Sequence, residues 1–136
     1  MIKEKLERYV QIISSIEDAQ DKYLWIMDFG KNSRPMDDSL KNREFEVQGC
    51  QSQTWLVPHF VEDKIYFSAD SASLISKGMV CIIADVYSGS SAQEINEFDQ
   101  DEFKKMNLSA LLTPGRNNGV HSMLKKIKFY ASPISP

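Results

Sequence analysis

The spacing of apolar residues changes twice along these 136 residues, and that change limits the folds open to the chain. Ile2, Leu6, Tyr9, Val10, Ile13 and Ile16 recur three or four apart, which predicts one face of an amphipathic helix. Asp18 is placed to cap a second helix carrying Tyr23, Leu24, Ile26 and Met27. Gly30 is expected to end it, because glycine accepts the left-handed conformation of a C-cap. Lys31 to Arg43, with Pro35 and Asp37-Asp38-Ser39, has no period and reads as an exposed connection. The period then falls to two. Phe45 and Val47 alternate with Glu44, Glu46 and Gln48, and Thr54 to Val61 is rich in aromatic and β-branched residues. The polar turn Glu62-Asp63-Lys64 leads to a third strand, Ile65 to Ser68, and Pro58, which has no N–H for a ladder, marks an edge or a bulge.

Helical spacing returns at Leu74, Ile75, Met79, Ile82, Ile83, Val86 and Tyr87, a set apolar on more than one face and expected to lie against the sheet, with Asp70 or Ser71 as its cap. Ser91 with Glu94, and Asp99 with Glu102, have the spacing of an N-cap and its reciprocal acid, predicting two short helices. Leu111 to Arg116 turns through Thr113-Pro114-Gly115, and a last helix carries Val120, Met123, Leu124, Ile127 and Tyr130. The tail from Ser132 to Pro136 is expected to fray. Helices on both sides of a small antiparallel three-stranded sheet make the class α+β, in one domain spanning residues 1–136.

Charge and hydropathy exclude some partners. A net charge of -3 disfavours nucleic acid. The charged start MIKEKLERYVQ lacks the apolar core of a signal peptide, and no apolar run approaches the roughly 20 residues that span a bilayer, so a cytoplasmic protein is expected. In such a compartment the two cysteines, Cys50 and Cys81, are expected as free thiols.

Their settings differ. Cys81 lies within Gly78-Met-Val-Cys-Ile-Ile83 and reads as a small hydrophobe on a buried helix. Cys50 lies in Gly49-Cys50-Gln51-Ser52-Gln53, where glycine and amide side chains make poor core neighbours. Sulfur reacts as the thiolate, and backbone N–H groups and amides in such a turn are suited to hold one. The plain alternative is that Cys50 fills space in a turn.

Val47-Gln48-Gly49-Cys50-Gln51-Ser52-Gln53, followed by Trp55, resembles the signature of the SufE family of cysteine desulfuration proteins. The resemblance extends to Lys22-Tyr23-Leu24-Trp25-Ile26, to Asp70-Ser71-Ala72 through Lys77-Gly78, and to Leu112-Thr113-Pro114-Gly115-Arg116 with Gly119, in the family's order. Thr54 stands where Val is frequent, Gly115 where Ser is frequent and Ala69 where Gly is frequent. The resemblance implies a fold like SufE and the related scaffold IscU, as monomer or homodimer. It makes Cys50 the acceptor of persulfide sulfur from a SufS-like cysteine desulfurase, whose activity it stimulates. That partner carries the pyridoxal phosphate; no cofactor is expected here. The sulfur would pass to a SufBCD-like scaffold for iron–sulfur cluster assembly, in a transferase-like relay rather than an independent enzyme. Gly49, Gln51 and Ser52 would hold the loop, Arg116 an anionic sulfur or an acidic partner group, and Asp70 a cap or a functional carboxylate. An apolar pocket lined by Trp55 and helix residues near Met79 would shield the persulfide.

Three rivals remain at this level. A cysteine hydrolase needs His59 or His121 beside Cys50. An iron–sulfur or zinc scaffold of the IscU type needs three or four ligands gathered around Cys50. A pure adaptor would stimulate the desulfurase by docking alone.

Overall fold

In the computed structural model, which describes residues 1–132, the helical spacing of the N-terminal region becomes α1 (Ile2–Ser14) and α2 (Ala19–Lys31). Ile2, Leu6 and Ile13 of α1 are buried, and the Asp18 carboxylate accepts the N–H groups of Gln20 at 2.7 Å and Asp21 at 3.2 Å, capping α2 as expected. The expected fraying beyond Ser132 lies outside the described residues.

Gly30 does not end α2. The helix runs through it to Lys31 and closes on Asn32 in a right-handed conformation. Its role is steric: a β-carbon on Gly30 would lie 2.5 Å from the backbone nitrogen of Gly78, and one on Gly78 would overlap the carbonyl of Ile26. The paired glycines let α2 and α3 (Leu74–Tyr87) touch backbone to backbone.

A 3-10 turn, Asp38–Leu40, interrupts the connection from α2. The sheet then differs from expectation: it has two strands among the described residues, not three. β1 (Thr54–Val61) pairs antiparallel with β2 (Lys64–Ser71) through a two-residue turn in which Glu62 takes a φ of 57°. The segment expected as a first strand reaches β1 only as the single bridge Glu46 to Trp55. Its preceding residues turn instead, with Phe45 N–H bonded to Asn42 O and Glu46 N–H to Arg43 O.

Two bonds hold that bridge, Val47 N–H to Thr54 O at 2.7 Å and Leu56 N–H to Phe45 O at 2.9 Å. The backbone of Thr54, Leu56, Pro58 and Phe60 therefore faces the outer edge of β1. The Leu56 carbonyl on that edge accepts the Tyr130 hydroxyl at 2.8 Å, and Pro58 has no N–H to offer. Beyond Leu56, Phe60 supplies the only backbone donor on this edge, which leaves no ladder for an added strand.

α3 forms the centre. Eleven of its residues are buried, and it packs against α1, α2, β1, β2 and α5 (Pro114–Tyr130). Ile82 and Ile83, fully buried on adjacent faces, each contribute roughly 1.5–3 kcal/mol of burial. Asp70 and Ser71 lie in β2, so neither caps α3; the N-cap position falls to Ser73.

After α3, Ser91 and Glu94 form the expected capping box of α4 (Ala92–Glu97). The Asp99 segment winds as a 3-10 helix, Gln100–Met106, with the Asp99 carboxylate accepting the Asp101 N–H at 3.0 Å in place of the expected capping box with Glu102. α5 begins earlier than its apolar spacing suggests, at Pro114, with the Thr113 hydroxyl accepting Arg116 N–H at 3.2 Å. No helix among the described residues is long and apolar enough to cross a membrane.

Candidate functional site

Cys50 sits on the turn between the Glu46 bridge and β1, next to Gly49, whose φ of 87° is open to glycine at little strain. The loop lies along one face of α5 and runs against the direction of that helix. A β-carbon on Gly49 would lie 2.7 Å from Ser122 Oγ, and one on Gly119 would lie 3.4 Å from Cys50 Sγ. One on Gly115 would lie 2.7 Å from Gln51 Oε1, which also accepts a long bond from the Thr113 hydroxyl at 3.5 Å. Gly115, Gly119 and Ser122 are four and three residues apart, so their small side chains form one shallow channel that receives the loop.

Arg116 closes the arrangement. Its guanidinium donates to Ser52 Oγ at 2.8 Å and to Ser76 Oγ at 2.7 Å, tying the loop to α3 as well as to α5. It has no carboxylate partner among the described residues. The surface ion pair that a lone arginine would ordinarily suggest is therefore absent here.

The cysteine itself is half-buried, and its thiol donates to Gly119 O at 3.7 Å. Burial pushes the Cys50 thiol up; the Thr54 hydroxyl and then the Arg116 charge pull it down less, and Glu46 adds a small push upward. The turn was expected to suit a thiolate. In this closed arrangement it holds a neutral thiol, because the sulfur donates its bond to Gly119 and the Gln51 amide faces Gly115 instead.

Gly49, Cys50, Gln51, Ser52 and Arg116 are thus brought together. Trp55 and Asp70 are not part of that group. Trp55 packs with Met36 and Val57 in a separate small core, with Lys41 Nζ 5.5 Å over its ring. Asp70 is buried between Lys41 at 3.3 Å and Lys77 at 3.6 Å and accepts the Ser71 N–H at 2.8 Å. The small cavity beside Arg116 is lined by Ile75, Met79, Val120 and Met123, and neither Cys50 nor Trp55, which was expected in a shielding pocket, lines it.

His59 bonds the Ser68 hydroxyl at 2.8 Å on the exposed strand surface. His121 stands two residues beyond Gly119, roughly 200° round the helix, and faces a different cavity, of about 350 Å³. Neither adjoins Cys50. Among the described residues, no three His, Cys, Asp or Glu side chains come together in an arrangement that could hold a metal. Cys81 is buried on α3, its thiol donating to Ala69 O at 3.7 Å, and both cysteines are free.

Ser76, Gly119, Ser122 and Thr54 were not singled out by the loop's chemistry, although Gly119 carried part of the resemblance. A signal was present for two of them. For Gly119 and Ser122 it is the row of small residues at positions 115, 119 and 122 on one face of α5, which marks a close approach; Ser76 and Thr54 have no such signal.

Residues 7–131 match the family described as SufE: Fe-S metabolism associated domain. The chain is 36% identical over 122 residues to SufE-like protein 1, chloroplastic/mitochondrial, of Arabidopsis thaliana, an alignment covering 89% of this chain and 33% of that protein. The chain thus spans about a third of the plant protein's length. It is 34% identical over 136 residues to an uncharacterized SufE-like protein of Rhizobium meliloti (strain 1021), covering 96% of this chain and 97% of that one. The solution structure of a hypothetical protein from Thermus thermophilus shares the fold, with a TM-score of 0.75, 14% identity and 93% of each chain covered. With its α+β fold, its cysteine loop and a domain match spanning nearly its full length, the chain belongs to the SufE family, a domain associated with iron–sulfur metabolism.

Proposed function

We propose that the protein accepts persulfide sulfur on Cys50 from a pyridoxal-phosphate-dependent cysteine desulfurase, stimulates that enzyme, and passes the sulfur on for iron–sulfur cluster assembly in the cytoplasm. One observation supports this reading: Cys50 is a half-buried free thiol on a loop between strands, and side-chain contacts tie that loop to α5 and α3.

The chemistry follows from that geometry. Closed, the thiol stays protonated and unreactive, because burial disfavours its anion. Swinging the loop outward removes the burial and returns the thiol towards its ordinary acidity. The Cys50 thiolate then attacks the outer sulfur of the desulfurase persulfide. A new S–S bond forms on Cys50, the donor's S–S bond breaks, and the donor cysteine leaves as its thiolate, so no external oxidant or reductant is needed. Delivery to a SufBCD-like scaffold repeats the exchange in the other direction.

The surroundings weigh against the rivals. Neither histidine adjoins Cys50 to act as a base, and the described residues gather no ligand set of the IscU kind. Incubation with a cysteine desulfurase and cysteine, followed by mass spectrometry, tests the proposal: one added sulfur atom is expected on Cys50 and none on Cys81. Desulfurase stimulation that survives Cys50→Ser would overturn it in favour of an adaptor.

A further inference from the structure

We propose that Thr54 is a positioning residue for Cys50: its single hydroxyl proton is given to the Ser52 carbonyl while the sulfur is a thiol, and turns to the sulfur when the sulfur becomes an anion. The inference rests on the sulfur-carrier reading for its purpose and deepens it.

The starting observation is a shortage of protons. Thr54 is fully buried at the root of the cysteine loop, and its hydroxyl donates to Ser52 O at 3.0 Å. The Ser71 hydroxyl, opposite it on β2, donates to Gln53 O at 2.9 Å, and the two hydroxyl oxygens lie 3.0 Å apart. Each hydroxyl carries one proton, so three contacts share two. Whichever way the protons are set, one contact goes without, and a charge placed beside the pair selects the arrangement.

The charge is the sulfur. Burial pushes the Cys50 thiol up, and the Thr54 hydroxyl, by a hydrogen bond to that sulfur, is the largest influence pulling it down, ahead of Arg116. As a thiol, the sulfur donates to Gly119 O and accepts only weakly. As a thiolate it has no proton to donate and accepts strongly, since a hydrogen bond to a charged group is roughly twice as strong as a neutral one. Turning the Thr54 proton from Ser52 O to the sulfur is then favourable. The anion is held in place, and one of the bonds fastening the loop is released in the same movement.

The charged groups on the neighbouring elements do not duplicate this role. Glu46, from the segment before the loop, pushes the thiol up, and Arg116 of α5 acts on the sulfur by charge while its guanidinium holds Ser52 and Ser76. Lys77 of α3 is engaged with Asp70 of β2, which Lys41 holds as well. Thr54 is also a departure from the SufE pattern, in which valine is frequent, so the resemblance assigns it no task.

The test needs no desulfurase. Iodoacetamide alkylation of Cys50 is followed across pH by mass spectrometry in the wild type, Thr54→Val and Thr54→Ser. For a loop that opens to react, the midpoint of the profile reports ionisation of the closed thiol, and its height reports opening. Thr54→Val keeps the shape and removes the hydroxyl; it should raise the midpoint by about 0.5–1 pH units, the excess of a charged hydrogen bond over a neutral one. Thr54→Ser should return the midpoint towards the wild type. If Thr54 does no more than hold the loop, Thr54→Val will quicken alkylation at every pH and leave the midpoint where it was, and that result overturns the proposal. Thr54→Ala, scored in the same way, takes its place if thermal melting shows that Thr54→Val does not fold. An unmoved midpoint in a protein that a desulfurase still loads sinks this inference alone. A moved midpoint in a protein that no desulfurase loads sinks the carrier reading instead.

Discussion

The carbonyl oxygen of Gly119 accepts the thiol proton of Cys50, sulfur and oxygen lying 3.7 Å apart, and the sulfur rests over a position of α5 that has no side chain. Replacing Gly119 by leucine fills the place of the sulfur and should push the loop off α5. Alkylation of Cys50 by iodoacetamide is then expected to quicken about tenfold, the equivalent of ~1.4 kcal/mol taken from the closed loop. Gly119→Ala, whose β-carbon would meet the sulfur at 3.4 Å, an ordinary van der Waals distance, should alkylate close to the wild-type rate. Equal alkylation rates in all three proteins would show that this contact does not hold the loop.

The same burial has a signature in alkali. Cys50 and Cys81 are both pushed above the ordinary thiol value of 9.0, and Tyr9, Tyr87 and Tyr130 above the phenol value of 10.0, with burial as the largest cause each time. The native protein therefore binds these protons more tightly than the unfolded chain does. That contribution is fully present below 9.0 and is lost as the pH rises through the raised values. Urea midpoints should fall progressively above 9.0, and Cys81→Ala should flatten the first part of the fall. Midpoints that stay level to 10.0 would contradict the burial of these groups.

Gly78→Ala separates local preference from packing. Alanine is the better helix former by about 1 kcal/mol. Its methyl group would nevertheless overlap the Ile26 carbonyl and force α2 away from α3. A net loss of about 2 kcal/mol is expected in chemical denaturation, within the usual range for overpacking. A stabilised variant would mean that the two helices are not in backbone contact.

Tyr130→Phe removes the hydroxyl that satisfies the Leu56 carbonyl on the outer edge of β1. Leaving that buried acceptor unpaired should lower stability by about 1–3 kcal/mol. A variant as stable as the wild type would show that water replaces the hydroxyl.

Where a structural cause lies within a few residues, the sequence is readable. The Asp18 cap, the Ser91–Glu94 box, the turn at Glu62-Asp63 and the helical spacing of α1 and α3 all depend on such short-range relations. The cysteine loop was legible for a different reason, its specific motif. What escaped depends on distant partners. Gly30 looks like a helix terminator until Gly78, far along the chain, is placed against it. Asp70 looks like a cap until Lys41 and Lys77 converge on it from two sides. Alternation at Phe45 and Val47 predicts a strand, but Phe45 N–H, the donor that would extend the ladder, is given to the Asn42 carbonyl in a turn.

The loop lies on α5 in single file, Gly49 over Ser122, Cys50 over Gly119 and Gln51 over Gly115, while Tyr130 fastens the far end of that helix to the sheet. Detachment can then run like the opening of a zip, one tooth after another along a rail that stays still. The Arg116 bonds to Ser52 and Ser76 are a clasp at the exposed Gln51 end, so on the proposed function that clasp parts first and the rest of the molecule need not bend.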